Sequence, residues 1–306
     1  MDIVPESLKD PRIQTTMVSV ADNLTFEVDV CGDGDALALC LHGFPEHSFS
    51  WRYQLPMLAD AGFTAWAPNL RGYGNSTRPE GLQAYRLDEL VEDVARLIEA
   101  SGKSEVTLIA HDWGAVIAWQ FALRKRLPLQ RLVICNVPHP QAMQDAFGWT
   151  QLKKSWYILF FQLPWLPEYL LGKDRAEPIA EMFRKTSANA GQFPTDVREV
   201  YRRNAAQPGA LTAMVNFYRA LLRGDRSRPR TDPRTPIDVP TLMVWGEDDV
   251  ALDKSTTLTT GDYVNDFTIR YLPGVSHWVQ QEQPEAVNDM IKAFVQGEDV
   301  PEYRPS

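Results

Sequence analysis

Leu108-Ile109-Ala110-His111-Asp112-Trp113-Gly114 is the stretch on which the fold turns. Residues 106–110 form a short, mostly apolar run of the kind expected for a strand buried on both faces. Residues 114–126 read as a helix. A strand that passes straight into a helix through small-x-Asp-x-Gly needs small neighbours, because its central residue is strained and lifts its side chain off the sheet edge. The familiar form of this turn carries serine at its centre; here the position is Asp112. A serine attacks acyl carbon, whereas a carboxylate can displace a leaving group from saturated carbon and form an alkyl ester, which water must then attack. The competing reading is that Asp112 merely caps the helix that follows.

On both sides of the elbow the chain alternates strand and helix patterns. Residues 17–20 and 24–30 are β-rich and separated by Ala21-Asp22-Asn23, a hairpin turn. Gly32-Asp33-Gly34 reads as a strand-joining turn rather than a dinucleotide site, since it lacks the third glycine and the helix. A buried strand is expected at 36–41, a helix at 51–61 and a strand at 64–68. Residues 86–101 place Leu87, Leu90, Val91, Val94, Leu97 and Ile98 at helical spacing, and Gly102 is the stop signal. A strand follows at 132–136. Alternation then ceases: from 141 to about 234 there are helical patterns and proline breaks but no strand, with 223–234 an arginine- and proline-rich linker. Strands at 241–245 and 268–272 and a last helix at 284–296 complete the chain. The expected fold class is α/β, a mostly parallel sheet flanked by helices with an inserted helical lid. Residues 1–140 and 236–306 would form the core domain and 141–235 the cap.

Composition limits the alternatives. The 306 residues are 44% hydrophobic, 23% charged and 10% aromatic, which excludes a disordered, collagen-like or disulfide-stapled chain. With 31 basic against 40 acidic residues the formal charge is −9, which argues against a general nucleic-acid or anionic-membrane surface. Cys31, Cys40 and Cys135 lie singly in apolar runs and read as buried thiols, not a disulfide or zinc set. Residues 1–15 hold no signal-like apolar stretch, and no run approaches the ~20 apolar residues of a spanning helix. The expectation is a soluble, cytoplasmic protein, monomer or homodimer, with no nucleic-acid or membrane partner. His42 and His47 lack a third ligand, so no metal is expected, and no cofactor.

An ester at Asp112 requires a base for water, and histidine is the usual choice. Around such elbows the chain order is nucleophile, acid, histidine. His277, in Pro273-Gly274-Val275-Ser276-His277-Trp278, directly follows the last strand. The acid falls in Trp245-Gly246-Glu247-Asp248-Asp249, where the turn would aim Asp249 into the site and leave Glu247 and Asp248 as solvated charges. Asn136 occupies the alternative acid position but carries no charge. His42-Gly43-Phe44-Pro45 follows the 36–41 strand and is placed to supply an oxyanion donor, the Phe44 N–H, with the Trp113 N–H as the second. His139, in Val137-Pro138-His139-Pro140, reads as a hinge or cavity-wall residue where the chain enters the lid.

These residues resemble the epoxide hydrolases of the α/β-hydrolase fold, and the match spans nearly the whole chain. It is carried by His42-Gly43-Phe44-Pro45-Glu46, Arg71-Gly72-Tyr73-Gly74-Asn75-Ser76, His111-Asp112-Trp113-Gly114 and Gly274-Val275-Ser276-His277-Trp278. The sequence departs from the family at Ala110 and Ala115, where glycine is frequent; both are small. Haloalkane dehalogenases share several of these motifs. The resemblance implies two lid tyrosines that grip and protonate an epoxide oxygen, and Lys154-Ser155-Trp156-Tyr157 and Asn216-Phe217-Tyr218-Arg219 mark Tyr157 and Tyr218. A phenol of pKa ≈ 10 stays protonated at neutral pH and can donate to the alkoxide of an opened ring. The substrate implied is a small apolar epoxide, the product a vicinal diol. A dehalogenase would want a halide donor where Phe44 stands, and a fluoroacetate-type enzyme would want arginines where Trp113 and Val116 stand. A non-catalytic binder on the same fold would need neither nucleophile nor base. Phe147, Trp149, Trp156, Tyr157, Phe160, Phe161, Trp165 and Tyr169 crowd one stretch of the lid, as an apolar pocket requires. Trp113, Phe44, Trp156, Phe160 and Phe161 are the expected pocket lining.

Overall fold

The structure, a computed structural model, describes residues 3–223 and 231–304. Two strands open it, β1 (Gln14–Ala21) and β2 (Leu24–Cys31), followed by β3 (Ala36–Leu41), α1 (Gln54–Asp60) and β4 (Phe63–Pro68). Then come α2 (Leu87–Ser101), β5 (Val106–His111), α3 (Trp113–Leu123) and β6 (Arg131–Cys135). Seven helices follow without a strand among the described residues: α4 (Pro140–Asp145), α5 (Trp149–Lys154), α6 (Trp156–Phe160), α7 (Leu166–Leu171), α8 (Lys173–Thr186), α9 (Thr195–Ala205) and α10 (Ala210–Arg223). The chain ends with β7 (Thr241–Gly246), β8 (Phe267–Leu272), α11 (Val279–Glu282) and α12 (Pro284–Gln296). Most of the linker expected at 223–234 lies outside the described residues.

The eight strands form one sheet in the order β1-β2-β4-β3-β5-β6-β7-β8. β1 pairs antiparallel with β2 and β2 antiparallel with β4; every later pair is parallel. The hairpin turn, the central parallel strands and the alternation thus follow the sequence reading. Every residue of β5 and β7 is buried, which explains why those strands read as continuous apolar runs rather than alternating ones. One apolar layer forms around α2, α3 and the helical block; the other packs α1 and α12 on the opposite face of the sheet.

Two helices differ from the expectation. The stretch from 51 to 61 is not one helix: a 3₁₀ turn at Ser48–Trp51 precedes α1. Pro56 sets the limit. Without an N–H it fits only in a first helical turn, so α1 starts two residues before it. α3 stops at Leu123 rather than 126, and Lys125 takes a positive φ of 49°. In the helical block, Asp174, Arg175 and Ala176 all have positive φ, so the regular part of α8 begins after them, with Pro178 in its first turn.

The three cysteines are free and buried. Among the described residues no helix is long and apolar enough to cross a membrane, and no cluster of His, Cys, Asp or Glu could hold a metal ion. The register aligns Leu41 with Ala110, His111 with Cys135 and Gly246 with Leu272. The loops leaving these carboxyl ends therefore meet at one edge of the sheet, where ligands of open α/β sheets bind.

Candidate active site

Asp112, between β5 and α3, has φ 46° and ψ −120°, a region that costs a non-glycine residue about 1–3 kcal/mol and persists only when the surroundings impose it. They do impose it. A Cβ on Gly43 would lie 2.3 Å from the Asp112 Cβ, and one on Gly114 would lie 2.2 Å from the Leu41 carbonyl oxygen. Only glycines let three chain segments approach so closely. The capping alternative fails, because the Asp112 side chain makes no cap hydrogen bond to α3. Its carboxylate turns outward instead: Oδ1 accepts the Phe44 N–H at 2.7 Å and Oδ2 lies 3.5 Å from His277 Nε2.

His277 and Asp249 come from the loops after β8 and β7. His277 Nδ1 donates to Asp249 Oδ2 at 2.7 Å. Asp249 Oδ1 accepts the N–H groups of Ala251 and Leu252 at 2.7 and 2.9 Å, and Oδ2 accepts Asn136 Nδ2 at 2.6 Å. Burial pushes the Asp249 carboxyl up, but the His277 charge and these donors outweigh it and hold it below the usual carboxylate value. Asp112 is held low in the same way, burial being outweighed by His277 and the Phe44 N–H. His277 is the complement: burial lowers it, yet the two flanking carboxylates raise it well above the ordinary imidazole value. Asn136, the uncharged rival position, buttresses the acid; it also accepts the Gly246 N–H at 2.9 Å.

Phe44 and Trp113 flank Asp112. The Phe44 N–H already points at the carboxylate, and Trp113 opens α3, so its N–H has no acceptor within the helix. Near Asp112, Tyr157 of α6 and Tyr218 of α10 meet with ring centroids 5.8 Å apart and planes at 85°. Burial, and secondarily the Asp112 charge, raise both phenols above their ordinary value, so both stay protonated at neutral pH.

A cavity of about 310 Å³ contains Asp112, His277, Tyr157 and Tyr218 in its wall, together with Phe44, Trp156, Phe161, Met182 and Trp278. Three pocket expectations need correction. Phe160 lies behind the wall, its ring 5.6 Å from Phe161 and 6.0 Å from Trp156. Trp113 also stands outside, packed edge-on against Tyr218 and Phe217. Of the eight crowded lid aromatics only Trp156, Tyr157 and Phe161 line the cavity, while Phe147, Trp149, Trp165 and Tyr169 are exposed. His139 is not a wall residue either. It is buried where the chain leaves β6, stacked on Tyr263 at 5.0 Å, accepting the Gln141 N–H through Nδ1 to cap α4. Burial brings its imidazole down to about 4. Two other cavities differ: the lining of one of about 370 Å³ beside α9 has no carboxylate or histidine, and in one of about 530 Å³ beneath residues 3–17 the lining His47 is already engaged, Nδ1 by the Phe49 N–H and Nε2 by the Asn69 side chain.

Two residues of the site carried no assigned role in the sequence reading. The fully buried Glu46 accepts the Gly43 N–H at 2.9 Å, His111 Nδ1 at 2.8 Å, and the side-chain amides of Gln280 and Gln281 at 3.0 and 2.9 Å. His111 Nε2 faces the His277 carbonyl oxygen at 2.8 Å. Both ring nitrogens of His111 thus face oxygens. Burial pushes the Glu46 carboxyl up, and His111 overrides it and holds it low. This pair braces the Gly43 backbone and the His277 backbone from beneath Asp112. His42, by contrast, is structural: Nδ1 donates to the Gly43 oxygen and Nε2 accepts the Leu70 N–H.

Residues 39–284 match the family described as alpha/beta hydrolase fold. Epoxide hydrolase 2 of Caenorhabditis elegans is 37% identical over 89% of this chain and 76% of its own length. Epoxide hydrolase 4 of Homo sapiens is 35% identical over 96% of this chain and 82% of its own. Among solved structures, a Bacillus megaterium epoxide hydrolase in complex with an inhibitor superposes with a TM-score of 0.80 at 30% identity, covering 92% of this chain and all of that one. Family match, relatives and superposition agree with the elbow and the sheet: the chain belongs to the alpha/beta hydrolase fold family.

Proposed function

We propose that this protein is an epoxide hydrolase, converting an apolar epoxide and water to a vicinal diol through an ester on Asp112. The Asp112 carboxylate attacks one ring carbon from the side opposite its C–O bond. As that bond breaks, Tyr157 and Tyr218 share the developing alkoxide, and one gives it a proton. His277, oriented by Asp249, then removes a proton from water, whose oxygen adds to the Asp112 carbonyl carbon. The resulting oxyanion is received by the N–H groups of Phe44 and Trp113. Collapse breaks the ester C–O bond on the enzyme side, and the departing oxygen takes a proton from His277. The proton that leaves His277 once Asp112 is esterified replaces the one the phenol gave, and the Asp112 carboxyl formed at collapse returns a proton to His277, which restores the resting charges. Two atoms of the diol's hydroxyl groups thus have different origins: one from the epoxide, the other from Asp112, which is refilled from water.

The observation that carries this reading is that two protonated phenols share the wall of one cavity with an ionised carboxylate held in a strained elbow. A haloalkane dehalogenase would use the same nucleophile, but it would need a donor where the Phe44 ring lines the wall. The names of the relatives favour the epoxide reading as well.

Oxygen labelling tests it. After repeated turnovers of a small epoxide in ¹⁸O-water, peptide mass spectrometry is expected to find label in the Asp112 carboxylate. Diol formation by Asp112→Ala, or halide release from bromoalkanes with no diol from any epoxide, would overturn the proposal.

A further inference from the structure

The solvent face of the lid has its polarity inverted. Along α5 and α6, interrupted only at Ser155, the residues Trp149, Leu152, Lys153, Trp156 and Leu159 fall at i, i+3, i+4, i+7 and i+10, one side of a helix. That side is turned outward, with Trp149 80%, Trp156 63% and Leu159 63% exposed. On the side facing the protein α5 buries the polar Gln151, with Ser155 buried beside it, while α6 packs Tyr157, Ile158 and Phe160 on the core. α7 continues the surface: Trp165 and Tyr169, four apart, are 69% and 61% exposed, and the Lys173 ammonium stands 5.4 Å over the Tyr169 ring. A helix on a soluble protein ordinarily turns such residues inward, and large apolar side chains exposed at this density mark an interaction surface.

We propose that this face docks on an anionic lipid surface, with Trp149, Trp165 and Tyr169 among the headgroups and Lys153 and Lys173 against the phosphates. The chain as a whole carries −9, yet residues 147–173 contain three lysines and one glutamate. That glutamate, Glu168, is tied to Arg219 at 2.5 Å, and Lys154 is turned inward onto the Asp249 and Leu252 carbonyls. Exposed lysines among tryptophan and tyrosine remain, the combination suited to the headgroup zone, where rings with an apolar body and a polar edge reside.

The cavity supports the same occupant. Trp156 lines it and is also part of the exposed stripe, so the mouth opens on this face. Thr186, a hydroxyl in the lining, is occupied by the Met182 carbonyl and the Trp278 indole. The wall beyond the reacting groups is therefore mainly apolar, and what enters would concentrate in a bilayer. A second copy fits less well: self-contact would set like charges together and cover the mouth. The argument from the mouth rests on the reading of this cavity as the substrate site; the argument from charge and exposure does not.

The full chain is sedimented with vesicles of phosphatidylcholine alone and of phosphatidylcholine with phosphatidylglycerol, without substrate, so its result is independent of the hydrolysis proposal. Binding is expected on the anionic vesicles only, weakened by salt. Trp149→Ser with Trp165→Ser, and separately Lys153→Glu with Lys173→Glu, are each expected to reduce it about tenfold or more with thermal unfolding unchanged. The exposed lysine pair keeps the test decisive should the tryptophan pair destabilise the lid. Absence of binding to anionic vesicles, or undiminished binding by the lysine pair, would overturn the proposal. So would a dimer that these substitutions dissolve in light scattering while no vesicles are bound, which would assign the face to a second copy.

Discussion

Asp112 and His277 support each other's charge, and the proposed chemistry removes that support halfway. In the resting protein two carboxylates raise His277 far above the ordinary imidazole value, a state unsuited to accepting a proton. Esterification abolishes the Asp112 charge and leaves Asp249 alone beside the ring, so the imidazole releases its proton more readily when water must be activated. His277→Gln is accordingly expected to alkylate once and stop, giving a stoichiometric burst and a mass increase of one substrate on the peptide holding Asp112; sustained turnover would remove His277 from the second step. Tyr157→Phe and Tyr218→Phe should act earlier. Each is expected to slow ester formation by about ten- to a hundredfold, and the double variant by about 10²–10⁴-fold, measured by stopped-flow under single-turnover conditions. Asp112, Asp249 and His277 were legible in the sequence because the turn chemistry around each is local and their order along the chain is diagnostic. Glu46 and His111 were not, since their pairing joins residues 65 apart and each had been read only within its own motif. Trp113 and Phe160 were misplaced for a related reason: residue type marks them as apolar, but only packing decides which side of a wall they occupy.

Between residue and fold stands the contact of α5 with the loop that carries the acid. Gln151 and Lys154, three apart on one face of α5, together hold residues 249–253. Gln151 donates to the Ala251 carbonyl and accepts the Asp253 N–H, at 3.1 and 2.9 Å, while Lys154 donates to the carbonyls of Asp249 and Leu252 at 2.7 and 3.2 Å. The helical block thereby fixes the loop from which Asp249 reaches His277 Nδ1. Loosening it should slow the water step and spare ring opening. For Lys154→Met, kcat and KM are expected to fall together, several-fold, with kcat/KM nearly unchanged, because only the step after the ester is affected; a fall confined to kcat/KM would instead implicate the neighbouring Tyr157. At this scale the core was easily read: β3 and α12 match to the residue, the one as an unbroken apolar run, the other between Pro284 and Gly297. The lid was read only as a block of helices. Its aromatic residues suggested a pocket, and the fact that five of the eight face solvent was hidden because α5 buries Gln151 and turns Trp149 outward.

For the molecule as a whole, net charge describes the surface, and the buried titratable groups govern how stability responds to pH. His42 and His139 are both wholly buried, and burial brings each down to about 4 from an ordinary 6.5. The unfolded chain therefore takes up protons first as pH falls, so the contribution of these two groups is complete above 6.5 and is lost between 6.5 and 4, each on the order of 3 kcal/mol. Asp112, Asp249 and Glu46, held below their ordinary values, extend the loss further into acid. His277 works in the other direction: raised in the folded state, its contribution is complete below 6.5 and is lost as pH rises through its folded value. Urea midpoints are thus expected to decline steeply from pH 6.5 to 4. His139→Asn separates this one histidine's share of the decline, because asparagine can still accept the Gln141 N–H at the start of α4 but does not titrate. The slope of unfolding free energy against pH in that window should drop by up to about one proton's worth, and a variant whose slope equals that of the parent would show that His139 takes up its proton as readily in the fold as in the unfolded chain.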